Sequence, residues 1–306
     1  MNSDGRHLSI SLSDEVAEAC AGGRPVVALE STIFSHLGLP SPANREALER
    51  CEDAVRAAGA VPAVTAVLDG VARVGIEPSE RDRVCGPALK MAERDISVAV
   101  GLGWDYGAST VSAALALAAS AGVTVFATGG IGGVHRGVET TWDISADLDA
   151  IATRPLVTVS AGAKAFLDLG RTLEHLETAG VPVLGWRTTM FPAFYTRSSG
   201  FRLPHSVDSA EQVARIWSAR TRPDKGVLLA VPIPEGAELD QDLLDGVLAG
   251  ALADCAEAGI SGAAVTPFVL GRIADATSGD SLPANLALAE NNARVAAEVA
   301  VAISGL

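Results

Sequence analysis

The chain has 306 residues, 48% of them hydrophobic, and a formal net charge of −14. That is enough apolar material for a large core. The acidic balance excludes general binding to nucleic acid or to an anionic membrane, since both need a basic surface.

Aromatic residues make up only 4%, and the abundant Ala, Val, Leu and Gly suit helices packed on a sheet better than a β-sandwich. The cysteines Cys20, Cys51, Cys85 and Cys255 show neither CxxC pairing nor metal-ligand spacing. They read as reduced thiols of a cytoplasmic protein, and the polar N-terminus shows no secretory signal.

From the N-terminus, the first buried strand is expected at 25–29, ending in Glu30-Ser31-Thr32. A carboxyl at the end of a buried strand suits a general acid or base, or equally a helix cap. A helix follows at 41–58, then strands at 61–67 and 72–76 with Asp69-Gly70 as a hairpin turn. Lys90 and Arg94 are four apart, as a phosphate clamp or a solvated face of one helix would have them. A strand is expected at 96–100.

Residues 107–134 carry no charge and are long enough to span a membrane, but they are rich in Gly, Ser and Ala and break at Ala121-Gly122. A buried helix at 110–121 and a strand at 123–127 explain them better. The loop Thr128-Gly129-Gly130-Ile131-Gly132-Gly133-Val134-His135-Arg136 follows. Its glycines let backbone N–H groups approach an anion, although GxxxxGK[ST] is absent. In Asp143-Ile144-Ser145-Ala146-Asp147, Ser145 starts a helix at 145–152 whose N–H groups could cradle a phosphate, and the two carboxylates suit Mg²⁺ or Mn²⁺.

A strand at 156–160 leads into Ala161-Gly162-Ala163-Lys164, with a helix expected at 164–170. The chain has 20 arginines but only three lysines, Lys90, Lys164 and Lys225. Arginine cannot serve as an amine nucleophile, whereas a desolvated lysine near a helix N-terminus can. Further strands are expected at 181–185 and 226–231, with helices at 172–179, 209–219, 239–258, 267–276 and 284–304. Asparagines in the last helix aim their amides at a ligand or at backbone. The pattern is a single three-layer α/β/α domain over 1–306, with a mixed central sheet.

These segments together resemble the pseudouridine-5′-phosphate glycosidases. So do Ala28-Leu29-Glu30-Ser31-Thr32-Ile33, Pro192-Ala193-Phe194-Tyr195, Thr266-Pro267-Phe268, Gly279-Asp280-Ser281-Leu282 and Asn291-Asn292-Ala293. The resemblance runs in order from about residue 10 to 303. It implies the indigoidine synthase A-like α/β/α fold, a homotrimer and a bound Mn²⁺. It also implies making or breaking of the C–C glycosidic bond between ribose 5-phosphate and uracil. Lys164 would be the nucleophile on C1′, forming an imine, and Glu30 the proton donor and acceptor. Asp143 would be the metal ligand. Lys90, Thr128, Ser145, Ala146 and Asp147 would hold the substrate, with Val111 lining the site and His135 and Asn285 handling sugar and base.

Two loops depart from the family pattern. Ser35-His36-Leu37-Gly38-Leu39-Pro40 is one residue longer, and the segment 101–111 gains Trp104 and Tyr106. If His36, Trp104 and Tyr106 face the acceptor side, they suit a larger planar ring than uracil. That points to the C-ribosylating natural-product branch, such as the alnumycin C-glycosynthase. The alternative is an ordinary pseudouridine-5′-phosphate glycosidase with drifted loops.

Overall fold

The computed structural model describes residues 8–260, 265–277 and 279–306. Eleven strands form one sheet: β1 (Ile10–Leu12), β2 (Val26–Leu29), β3 (Val61–Leu68), β4 (Val71–Val74), β5 (Leu89–Met91), β6 (Tyr106–Ser109), β7 (Val125–Ala127), β8 (Val157–Ser160), β9 (Val183–Trp186), β10 (His205–Val207) and β11 (Val227–Ala230). The order is β1-β4-β3-β2-β7-β8-β11-β9-β10, with β6 also paired to β3 and β5 to β6. Only β3–β4 and β3–β6 are antiparallel.

The central strands β2, β8 and β11 are buried along their whole length. Such strands need helices on both faces. One layer contains Ala43–Ala57, Ala210–Ser218 and Ser281–Ser304, which pack on each other; a second pairs Val111–Ser120 with Ala146–Thr153.

The feature that positions the site is a strand junction. The first half of β3, Val61–Val64, pairs with β2, and its last three residues, Ala66–Leu68, pair with β6 running the other way. The carboxyl ends of β2 and β6 therefore meet head to head beside Thr65. Three fully buried hydroxyls join them. Ser109 Oγ donates to Thr65 O at 2.7 Å, lies 2.8 Å from Thr65 Oγ1 and accepts from Ser31 N, while Thr65 Oγ1 donates to Leu29 O. The two chains then turn away from each other, with Glu30 at one end and Thr110-Val111 at the other.

The mixed sheet and the Asp69-Gly70 hairpin follow the sequence pattern. Several elements do not. Residues 96–100 form a helix, Ile96–Gly101, that buries Ile96 and Ala99 one turn apart and leaves Val98 exposed. Residues 164–168 make turns, and the helix there is Leu169–Thr178. Lys90 lies on β5 and Arg94 in the short 3₁₀ turn Glu93–Asp95, so the two share no helix face. The uncharged run resolves into the end of β6, the helix Val111–Ser120 and β7. Among the described residues no helix is long and apolar enough to cross a membrane.

Replacing Ser109 with Ala removes the shared hydroxyl of a fully buried cluster and strands its partners. The expected loss is about 1–3 kcal/mol of unfolding free energy. Urea denaturation measures it, and an unchanged midpoint would show that the junction does not depend on this hydroxyl.

Candidate active site

Three neighbouring strands, β2, β7 and β8, deliver Glu30, Thr128 and Lys164 just beyond their carboxyl ends, where open α/β sheets hold their ligands. The Thr128 hydroxyl donates to Glu30 Oε1. Burial raises the Glu30 carboxyl above its ordinary range. The Lys164 ammonium and the Thr128 hydrogen bond oppose this, Asp147 adds to it and Lys90 opposes it more weakly.

The Lys90 ammonium is shifted down, first by desolvation from the protein around its stem and then by the like charge of Lys164. His135 is pushed down by burial; Asp143 resists that, and Lys164 and Lys90 add to it. Lys90 and Lys164 act on both Glu30 and His135, and so link the two. Glu30, Lys90, His135, Asp143, Asp147 and Lys164 thus form one electrostatic cluster, although they come from widely separated parts of the chain.

The loops that hold the cluster are fastened by backbone contacts. Asp147 is buried, and its two carboxylate oxygens accept from Ser112 N at 3.0 Å and Gly132 N at 2.8 Å. It thereby ties the first turn of Val111–Ser120 to the glycine loop. Ser145 caps Ala146–Thr153 by accepting from Asp147 N. Lys164 N donates to Ile131 O.

Glycine is required at 130, where a Cβ would stand 2.4 Å from the Phe194 ring. Phe194 N donates to Ala161 O, so the Pro192–Tyr195 segment clamps the loops that follow β7 and β8. His135 Nδ1 lies 3.7 Å from Asp143 Oδ2. His135 N donates to Asp143 O, and Val134 bridges to Ile144 in antiparallel fashion, closing the loop between them.

The other expected site residues make the following contacts. Lys164 does not start a helix; the helix expected at its position begins at Leu169. Tyr106 is 2% exposed, and its hydroxyl donates to Val84 O. It is a core residue of β6, where alternate side chains face inward, and cannot stack on a ligand. Trp104 packs beside Gly107, and its carbonyl accepts from Gly70 N, so it braces the hairpin turn. His36 Nδ1 accepts from Ala88 N at 3.0 Å, pinning the segment that leads into Lys90. Val111 is a buried first helical residue.

Asn285 donates to Tyr195 Oη at 2.7 Å, on the far side of the Phe194 clamp. Between the two readings open for the C-terminal asparagines, backbone holds for Asn292, which donates to the carbonyls of Thr128 and Gly129. The side chains of Thr266 and Pro267 lie outside the described residues.

Cavity size does not mark this site. A cavity of about 590 Å³ lies between Ala43–Ala57 and Ser281–Ser304, lined by Arg50, Glu290 and Arg294, remote from the cluster. A smaller one of about 340 Å³ is lined by Arg136, Ala165, Leu167, Phe201 and Leu244 and by none of the cluster's own residues. No group of three or more His, Cys, Asp or Glu side chains able to hold a metal occurs among the described residues.

A lysine and a burial-shifted carboxyl beyond the ends of β8 and β2, on either side of β7, with a second lysine and helix-capping polar groups near them, make this a candidate α/β enzyme site. The chain belongs to the family of indigoidine synthase A like proteins, whose model matches residues 15–302. It is 50% identical to a pseudouridine-5′-phosphate glycosidase of Sorangium cellulosum over 98% of this chain and 95% of the relative. It is 49% identical to one of Roseiflexus over 99% and 98%. Among solved structures, the prealnumycin C-glycosynthase AlnA in complex with ribulose 5-phosphate superposes with a TM-score of 0.90 at 39% identity, covering 98% of both chains. An indigoidine synthase A-like protein from Thermotoga maritima superposes with a TM-score of 0.88 at 34% identity and 99% coverage of both chains.

In Asp147→Asn, an amide nitrogen must face the N–H of either Ser112 or Gly132. A loss of about 1–3 kcal/mol in folding stability is expected, read from chemical denaturation. Wild-type stability would mean that the carboxylate does not hold these two loops together.

Proposed function

We propose that this protein is a pseudouridine-5′-phosphate glycosidase, which breaks the C–C bond between ribose 5-phosphate and uracil. The observation that carries this reading is the convergence of Lys164 and the Thr128-held Glu30 at one site. Relatives of that name at about 50% identity over nearly the whole chain support it. The ribulose 5-phosphate in complex with AlnA supports a phosphorylated pentose as ligand. The expectation of a larger aromatic acceptor rested on Trp104 and Tyr106. With Tyr106 in the core and Trp104 against the hairpin, neither favours a larger ring over uracil.

A C-glycoside has no leaving oxygen or nitrogen to protonate, so the two-carboxylate route of ordinary glycosidases is not enough. In the proposed route the C1′–O4′ bond opens, O4′ takes a proton, and the neutral Lys164 amine bonds to C1′. Glu30 then gives a proton to the ring carbon. The nitrogen lone pair closes C1′=N, and the electron pair of the C1′–ring bond passes to the ring, freeing uracil. Water adds to the imine, the C1′–N bond breaks, and ribose 5-phosphate leaves with Lys164 restored. Lys90 and the capped start of Ala146–Thr153 offer charge and N–H donors to the phosphate.

Asp143, with His135 beside it, would be the donor pair for Mn²⁺. One carboxylate and an imidazole suit a divalent ion that keeps several waters. When bound, the ion would add positive charge near the phosphate. The reading includes a cytoplasmic homotrimer. The four cysteines are free thiols, as a reducing compartment would have them, and light scattering measures the mass.

Incubation with pseudouridine 5′-phosphate should release uracil; none released would defeat the reading. Borohydride trapping with ribose 5-phosphate should add one pentose phosphate to Lys164, and Lys164→Arg should abolish turnover while keeping the charge. Glu30→Gln should lower kcat by about 10²–10⁴-fold. Calorimetric titration of Mn²⁺ should lose its heat in Asp143→Ala, and equal binding by the variant would remove Asp143 from the metal site.

A further inference from the structure

Asn292 sits in the C-terminal helix Ser281–Ser304, far along the chain from every residue with assigned chemistry, and is completely buried. Its amide nitrogen donates to Thr128 O at 2.9 Å and to Gly129 O at 3.2 Å. With two carbonyls in front of it, the amide can only present its NH₂ group. Its Oδ1 is left buried without a hydrogen-bond partner among the described residues. A residue kept only to fill space would be apolar here, like the neighbouring Ala289, Ala293, Val295 and Ala296.

The two carbonyls belong to the point where β7 ends and the glycine loop begins. Glycine at 129 gives that point little stiffness of its own. Thr128 N is held from the opposite side by Val159 O. The hydroxyl of this same anchored residue donates to Glu30 Oε1.

We propose that Asn292 is a positioning residue for the acid–base step: it fixes the Thr128–Gly129 backbone so that the Thr128 hydroxyl holds the Glu30 carboxyl in its working orientation. This rests on the reading of Glu30 as the acid and base. Asn292 touches no substrate and acts through Thr128. The groups facing Glu30 are Thr128 after β7, Lys164 after β8, Lys90 on β5 and Asp147 in Ala146–Thr153, with the buried Cys51 of Ala43–Ala57 behind it. Of these, only Thr128 gives it a hydrogen bond. Losing that bond should raise the pH at which Glu30 gains its proton, because the bond favours the carboxylate.

The test uses Asn292→Leu, which keeps the volume, together with Thr128→Val, Thr128→Ser and the Asn292→Leu/Thr128→Val double variant. In Asn292→Leu and Thr128→Val, kcat for pseudouridine 5′-phosphate should fall by about 10–100-fold with KM within about twofold, the mark of a group needed in the transition state more than in binding. Thr128→Ser should keep most of kcat. The double variant should be no worse than the poorer single, since both act on one contact.

Infrared titration of the Glu30 carboxyl band, assigned by its absence in Glu30→Gln, should show a higher midpoint in both single variants. This readout needs no turnover. Wild-type kcat and midpoint in a folded Asn292→Leu would overturn the proposal. So would multiplied losses in the double variant. If Asn292→Leu does not fold, a wild-type midpoint in Thr128→Val overturns it alone. Failure of the wild-type enzyme to release uracil, with the midpoints shifted as stated, would instead count against the glycosidase reading and leave the positioning intact.

Discussion

The arrangement depends on the meeting of two strands end to end. β2 and β6 share one edge of β3 but run in opposite directions, so their carboxyl ends collide beside Thr65. Two chain ends facing each other in a dry interior leave backbone groups that neither strand can satisfy, and such groups are costly when orphaned. The hydroxyls of Ser31, Thr65 and Ser109 supply the missing partners. Once these are satisfied the chains must diverge. The divergence creates the opening into which Glu30 points and beside which the helix Val111–Ser120 begins.

Around that opening the charges are set against one another. Desolvation alone would keep Glu30 protonated; Lys164 and Thr128 counter it, and Asp147 reinforces it. A raised carboxyl under opposing fields is the kind of group that acid–base chemistry uses. Lys90 and Lys164 repel each other, which favours an anion arriving between them. Asp147 serves two purposes: its oxygens fasten two loops, and its charge acts on Glu30 and Lys90. The site is therefore rigid where the chain is glycine-rich, because side chains from elsewhere supply the stiffness that glycine lacks.

What can be read from the sequence follows from contrast. The apolar runs of the central strands and the amphipathic helices stand out from their surroundings, so the alternating α/β order and the strand ends bearing Glu30, Thr128 and Lys164 are legible. The strands β1, β5, β6 and β10 are not. β1, β5 and β10 are only partly buried and carry no apolar run, and β6 reads Tyr-Gly-Ala-Ser, a composition that suggests a turn. Missing β6 had a direct consequence, since Tyr106 taken as a loop residue looks like a stacking platform, while Tyr106 on a strand is core. The run 96–100 is apolar enough for either state, and only packing makes it a helix. Asn292 illustrates a further limit, because its target lies more than 160 residues away in the chain and no local spacing reports such a contact.

The segment between His135 and Asp143 is closed at its base by backbone hydrogen bonds, His135 N to Asp143 O and Ser145 N to Gly133 O. Everything between them, including the outward-facing Trp142, which is 81% exposed, hangs from that clasp. The two clasp bonds are made by backbone and do not depend on which side chains the loop carries, although Thr141 Oγ1 also accepts from Asp143 N and Glu139 pairs with Arg171. Lineages can therefore lengthen, shorten or rewrite the loop without displacing His135 or Asp143. In this fold the rim of the site is free to diversify over evolutionary time while its chemical centre stays registered.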